Sequence, residues 1–218
     1  MRKACIFDLD GTLISERAYI YGCFRNVAGS IERKYNIDSA YKKMITLFQA
    51  DWHEIFNRLF AEEGIVISNQ ELMDLVKLYR ATDPVVEVYS DVVKALEFLK
   101  SHNQKVGLYS NGYTNTQMLK ILKSGLQGYF DFVMLPDEFG KDYWKPDPRC
   151  GKKILESLEV EPQELILIGD SNTDFLTSKG IGIDMLYIDR PDKVNHFDYE
   201  NDVLGKIHSL DELYRYFT

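Results

Sequence analysis

From Ser90 to Ile188 the chain alternates short apolar runs with stretches of helical spacing, and a chain patterned that way folds around a parallel sheet. The runs are Val106–Tyr109, Phe132–Leu135, Leu165–Ile168 and Met185–Ile188. Among them lie a segment from Ser90 with Val92, Val93, Leu96 and Leu99 in helical register, and one opening on Thr114-Asn115-Thr116-Gln117, the spacing of a capping box. A further helix is predicted with Asp147 as its cap and Pro148 at its first position, and a short one near Thr173 to Lys179. Crossovers between parallel strands are right-handed, so the order of elements prunes the topology to a few arrangements. Ala4-Cys5-Ile6-Phe7 is apolar at every position rather than at alternate ones, which reads as another strand covered on both faces.

From about Glu16 to Tyr79 no such run recurs. Ile20, Phe24, Val27, Ile31 and Tyr35 line one helical stripe; Ala40, Met44, Leu47 and Phe48 begin another that Ile55, Phe56 and Leu59 continue. Ser68-Asn69-Gln70-Glu71 is a capping box ahead of Leu72, Leu75 and Tyr79. The prediction is an α/β protein, with a Rossmann-like parallel sheet core and helices on both faces over residues 1–15 and 82–218. A small all-helical domain over 16–81 interrupts it after the first strand, with joints at Leu13–Arg17 and Ala81–Pro84. A length of 218 residues, 45% apolar, suffices for such a core with an insert.

The net charge of −8 disfavours binding to a nucleic-acid backbone, so no nucleic-acid partner is expected. No apolar run reaches the roughly 18 residues of a membrane span, and Ala4–Phe7 is too short for a signal peptide. Cys5, Cys23 and Cys150 are odd in number and far apart. They read as reduced thiols of a cytoplasmic protein rather than a disulfide framework or zinc site.

Ligands of an open parallel sheet bind at the carboxyl ends of its strands. The first strand ends in Asp8-Leu9-Asp10-Gly11-Thr12, the strand at Val106 in Ser110-Asn111-Gly112, and the strand at Leu165 in Gly169-Asp170-Ser171-Asn172-Thr173-Asp174. Lys145 stands before the Pro146-Asp147-Pro148 helix start. Carboxylates gathered at one edge repel one another unless a cation joins them, and Mg²⁺ suits a site that keeps positions open for water and a phosphate. There Asp8 is the candidate nucleophile and Asp10 the candidate acid and base. Ser110, the backbone N–H groups that follow it and Lys145 would hold phosphoryl oxygens. Taken singly, Asp10-Gly11 is an ordinary turn, Lys145 an ordinary solvated charge and Asp170-Ser171 an ordinary helix cap; their joint placement at strand ends carries the reading. Calcium-loop, dinucleotide, P-loop and Gly-x-Ser-x-Gly patterns all fail. The histidines are scattered, and Tyr19, Phe24, Phe48 and Phe56 read as helix packing.

In this order, Asp8-Leu9-Asp10-Gly11-Thr12-Leu13, Ser110-Asn111-Gly112, Lys145-Pro146-Asp147-Pro148 and Gly169 to Asp174 resemble the four motifs of the haloacid dehalogenase superfamily of phosphohydrolases, from Met1 to about Arg190. The resemblance implies Asp8 as nucleophile and Asp10 as general acid and base. It implies magnesium held by Asp8, the backbone carbonyl of Asp10 and Asp170, with Asp174 supporting or joining them. Ser110 and Lys145, with Asn111 and Gly112 beside them, would bind the substrate phosphate. The helical block would be a mobile cap that excludes water and chooses the substrate. True dehalogenases of the superfamily lack the second aspartate of the first motif, so Asp10 argues for phosphatase chemistry on a small phosphorylated metabolite such as a sugar phosphate, nucleoside monophosphate or phosphoglycolate-like acid. The alternatives are a phosphomutase and a binding module without turnover, against which no expected catalytic residue is missing. Arg17, Arg25 and Arg58 are candidates for a substrate carboxylate or second phosphate, each weighed against a solvated surface arginine. A monomer and a homodimer are both compatible with the sequence.

Overall fold

The computed structural model describes residues 2–82 and 85–217, so Asp83 and Pro84 of the second expected joint lie outside the described residues. The chain forms two compact units, Met1–Arg17 with Val86–Thr218, and Ala18–Val85.

The first unit is built on a six-stranded sheet in the order β3-β2-β1-β4-β5-β6. Its strands are β1 (Ala4–Phe7), β2 (Lys105–Tyr109), β3 (Phe132–Met134), β4 (Leu165–Gly169), β5 (Asp184–Ile188) and β6 (Gly205–Ile207). Every pairing is parallel. Cys5, Phe7, Val106, Leu108, Ile166 and Ile168 point to one face, where Val92, Leu96 and Leu99 of α5 (Val92–Ser101) and Ile121 of α6 (Thr114–Ser124) cover them. Ala4, Ile6, Tyr109, Leu165 and Leu167 point to the other. Cys150, Ile154 and Leu158 of α7 (Pro148–Leu158) and Phe175 and Ile181 of α8 (Asn172–Ile181) cover that side. Side-chain alternation along each strand thus explains why runs apolar at every position are needed. β1 is central, and the strand order reverses beside it, which is where sheets of this kind open a crevice. Phe7 is level with Leu108 of β2 and Ile168 of β4, so the residues that follow these strands leave the sheet at one edge.

The second unit holds most of α1 (Glu16–Tyr35), then α2 (Ala40–Ala50), α3 (Ile55–Glu62) and α4 (Asn69–Arg80). Phe24 packs edge-on against Phe48 at 5.9 Å and Tyr35 against Phe60 at 4.7 Å. These are packing aromatics of the apolar stripes. The stripe that runs from Ala40 to Leu59 is carried by two helices, broken at 51–54. Arg58 donates to the carbonyls of Leu47, Asp51 and His53 across that break. The Ser68 capping box forms as expected, and its Glu71 also accepts from Lys34 and Tyr35 of α1. Arg25 lies over the Tyr41 ring, 5.2 Å from its centroid. Among the described residues no helix is long and apolar enough to cross a membrane.

Candidate active site

Asp8 leaves β1 with its N–H bound to the Ile168 carbonyl of β4 at 2.9 Å, which fixes where its carboxylate starts. Lys145 meets that carboxylate at 2.5 Å and donates equally closely to Asp174 and, at 3.0 Å, to the Tyr109 carbonyl. Lys145 is not the solvated charge that it would be if taken singly: it is 5% exposed. Asn111 grips its backbone from both sides, accepting from the Lys145 N–H at 2.8 Å and donating to the Lys145 carbonyl at 3.0 Å. The Lys145–Pro146 peptide is cis.

Asp174, on the first turn of α8, reaches back over the end of β4. One oxygen takes Lys145 and the other accepts from the N–H and hydroxyl of Ser171. This reach needs Gly169, because a Cβ there would lie 2.5 Å from the Asp174 carboxyl carbon. Asp170 faces Gly11, whose φ of +75° and missing side chain leave room that a Cβ would close to 2.3 Å from an Asp170 oxygen. Asn195 donates to Asp170 at 3.2 Å and to Glu16 at 3.4 Å.

Asp8, Asp170 and Asp174 each bring one carboxylate oxygen within 4.8 Å of the others. The Asp10 side chain is not of that group. Lys120 binds both of its oxygens, at 2.7 and 2.8 Å, and the Gln117 amide donates to it at 2.9 Å and to the Ser110 hydroxyl at 2.6 Å. Of the expected residues, Asp8, Asp10, Ser110, Asn111, Lys145 and Asp170 line a cavity of about 180 Å³ with Glu16, Ser171, Thr173 and Asn195, while Asp174 and Gly112 do not line it. Gly112, at φ +131°, leaves the space that Gln117 fills. Arg17 donates instead to the Lys193 carbonyl.

Glu16, Gln117, Lys120 and Asn195 belong to the site beyond the residues the motifs mark. Gln117 reads in the sequence as a cap, but α6 starts without a side-chain cap and its Gln117 faces Asp10 and Ser110. Lys120, three residues on, shares that helix face, which is the one local signal available. Glu16 sits at a domain joint, and nothing local marks Asn195.

Burial pushes the Asp8 carboxyl up, to about 7, opposed by Lys145 and reinforced by Asp174 and Asp10. Burial also holds Asp170 well above the usual carboxylate range, reinforced by Asp8, Asp174 and Glu16. Glu16 rises to about 7 through burial and Asp10, against Lys120 and Asn195. Lys145 brings one positive charge to the three carboxyls Asp8, Asp170 and Asp174, and an oxygen-only donor set at this spacing fits a hard divalent cation.

A parallel sheet carrying an aspartate pair at the end of its central strand, with a helical insertion after that strand, is the architecture of the haloacid dehalogenase-like hydrolases. Residues 5–188 match that family, and the chain belongs to it. Among curated relatives, the pyrophosphatase PpaX of Bacillus mycoides is 25% identical over 182 residues, 81% of this chain and 79% of that protein. Among solved structures, an HAD phosphatase from Thermococcus onnurineus is 28% identical, with TM-score 0.68 over 99% of this chain and 97% of its own. The magnesium-bound structure of YfnB from Bacillus subtilis has TM-score 0.74 at 18% identity, covering 100% of this chain and 99% of that one.

Proposed function

We propose that the protein is a Mg²⁺-dependent phosphatase of small phosphomonoesters, working through a phosphorylated Asp8. The observation that carries this reading is the separation of two neighbouring carboxylates. Asp8 joins Asp170 and Asp174, while Asp10, two residues on, is held apart by Lys120 and Gln117. That separation supports giving one carboxylate the bond-forming role and the other the proton-transfer role. Magnesium would be held by Asp8, Asp170 and the Asp10 backbone carbonyl with Asp174 in support, and when bound it offsets charge on the phosphoryl oxygens. A magnesium-bound relative of the same fold supports that choice of metal.

An Asp8 oxygen attacks phosphorus, the bond to the ester oxygen breaks, and Asp10 gives that oxygen its proton. Asp10 then takes a proton from water as the water oxygen attacks phosphorus and frees Asp8, releasing inorganic phosphate. Lys145 and Ser110 hold phosphoryl oxygens, with Asn111 and Gly112 shaping the loop between them. In this reading residues 16–81 would be the cap domain and residues 1–15 with 82–218 the catalytic core. The small site suits a metabolite; sugar phosphates, nucleoside monophosphates and phosphoglycolate-like acids lead the candidates, and the similarity to a pyrophosphatase supports adding inorganic pyrophosphate, an anhydride rather than an ester, to the panel. The test is phosphate release from this panel with Mg²⁺ and with EDTA. Release that needs Mg²⁺ and is lost in Asp8→Asn is expected; undiminished release by Asp8→Asn, or none from any compound by folded, magnesium-loaded protein, would contradict the reading.

A further inference from the structure

Asp10 faces a competition that its position in the chain creates. It follows Asp8 by two residues at the same sheet edge, and Asp170 and Glu16 line the same cavity, all drawn to the same positive charge. A carboxylate that joined the metal-binding group would be unavailable for proton transfer. We propose that Gln117 and Lys120 are positioning residues that keep Asp10 out of that group and hold it beside Ser110. The inference rests on the function proposed above, since it assigns Asp10 the proton-transfer role.

The geometry is specific. Lys120 meets both Asp10 oxygens, at 2.7 and 2.8 Å, and its side chain is 8% exposed. Lysine is seldom buried unless paired, so the ammonium and the carboxylate fix each other. The Gln117 amide nitrogen donates to both Asp10, at 2.9 Å, and Ser110, at 2.6 Å. One amide therefore sets the spacing between the proposed proton donor and a proposed phosphate-binding hydroxyl. Gln117 and Lys120 lie three residues apart on α6, one face of a helix that begins just after Ser110-Asn111-Gly112. A Cβ at Gly112 would stand 2.9 Å from the Gln117 amide carbon, so glycine at that point leaves the glutamine its place.

The role can be read through the leaving group. p-Nitrophenolate departs as a stable anion, whereas an alkoxide must be protonated as it leaves, so only the alkyl ester depends strongly on a placed acid. The experiment measures kcat/KM, which covers the chain of steps through leaving-group departure, for p-nitrophenyl phosphate and glycerol phosphate. It compares wild type, Lys120→Met, Lys120→Arg, Gln117→Leu and Asp10→Asn. General acid catalysis contributes on the order of 10²–10⁴-fold. Lys120→Met is expected to lower the alkyl-to-aryl ratio by about 100-fold, Gln117→Leu by about 10-fold, and Lys120→Arg is expected to recover most of the loss. Equal losses on both esters, or an unchanged ratio in the folded variants, would overturn the inference. Should Lys120→Met fail to fold, the Gln117→Leu ratio decides alone. The Asp10→Asn arm separates the two layers: if it leaves the ratio unchanged, the assignment of Asp10 itself has failed, and if it collapses the ratio while the α6 variants do not, only the positioning role has.

Discussion

Lys145 shows how a single buried cation organises this site. It bonds two carboxylates and a strand carbonyl, and Asn111 fixes its backbone. Burial works against its ammonium, but Asp174 and Asp8 outweigh that cost and raise its pKa. Gly11 is as decisive by what it lacks. Its left-handed φ costs any L-residue with a Cβ about 1–2 kcal/mol, and a methyl group there would drive Asp170 from its place. Gly11→Ala is therefore expected to fold while raising the magnesium concentration needed for half-maximal stabilisation by about tenfold or more. A melting-temperature titration with Mg²⁺ checks this, and a wild-type titration curve would show that Asp170 is not held as described. At this scale the sequence was informative: strand ends nominate Asp8, Asp10, Ser110, Asp170 and Asp174, and the resemblance adds Lys145 ahead of a helix start. Lys120 and Asn195 escaped because their partners lie 110 and 25 residues away, beyond any local pattern.

Between elements, the loop after β5 holds the turn after β1. Arg190 donates twice to the Thr12 carbonyl and pairs with Asp91 at 2.7 Å, while Asp91 also accepts from Ser209 and Leu210. Burial opposes the Asp91 carboxylate, but Arg190, the Leu210 N–H and the Ser209 hydroxyl prevail and hold its pKa below the ordinary value. A carboxyl depressed in the folded state adds stability above its unfolded pKa of about 3.9 and loses it as pH falls through the lower folded value. Asp91→Asn, which strands Arg190, should thus cost about 2–4 kcal/mol at pH 7 and less near pH 3. Urea unfolding at both pH values measures it; a cost independent of pH would refute the ion-pair account. Ser90 reads as the start of the following helix, but α5 begins at Val92 because Asp91 is engaged with Arg190 instead of capping. The caps at Ser68 and Asp147 were legible because side chain and target lie within three residues. β6 was not, since Gly205-Lys206-Ile207 is three residues long and pairs with β5 without an apolar run to mark it.

For the whole molecule, the acidic site is a cost to folding that the proposed cation would relieve. Asp8 rises from 3.8 to about 7 on burial, and Asp170 and Glu16 move the same way. A carboxyl raised in the folded state binds more protons there than in the unfolded chain, so stability falls as pH rises from about 4 to about 7. The metal-free protein is expected to lose melting temperature across that window, and the stabilisation by Mg²⁺ is expected to grow with pH as protons cease to compete. Calorimetric scans with EDTA and with Mg²⁺ at pH 5, 6 and 7.5 test both; a gap that stays constant or narrows with pH would mean these carboxyls do not bind the ion.

The central claim is that Asp8 itself carries the phosphoryl group, and it can be caught doing so. Borohydride reduces an aspartyl phosphate to homoserine, so quenching the magnesium-loaded enzyme during turnover of a good substrate and mapping its peptides reads the residue directly. Homoserine at position 8, absent without substrate and absent in Asp8→Asn, is the predicted result. Full phosphate release with an unmodified Asp8, or with the label at another carboxylate, would contradict the account.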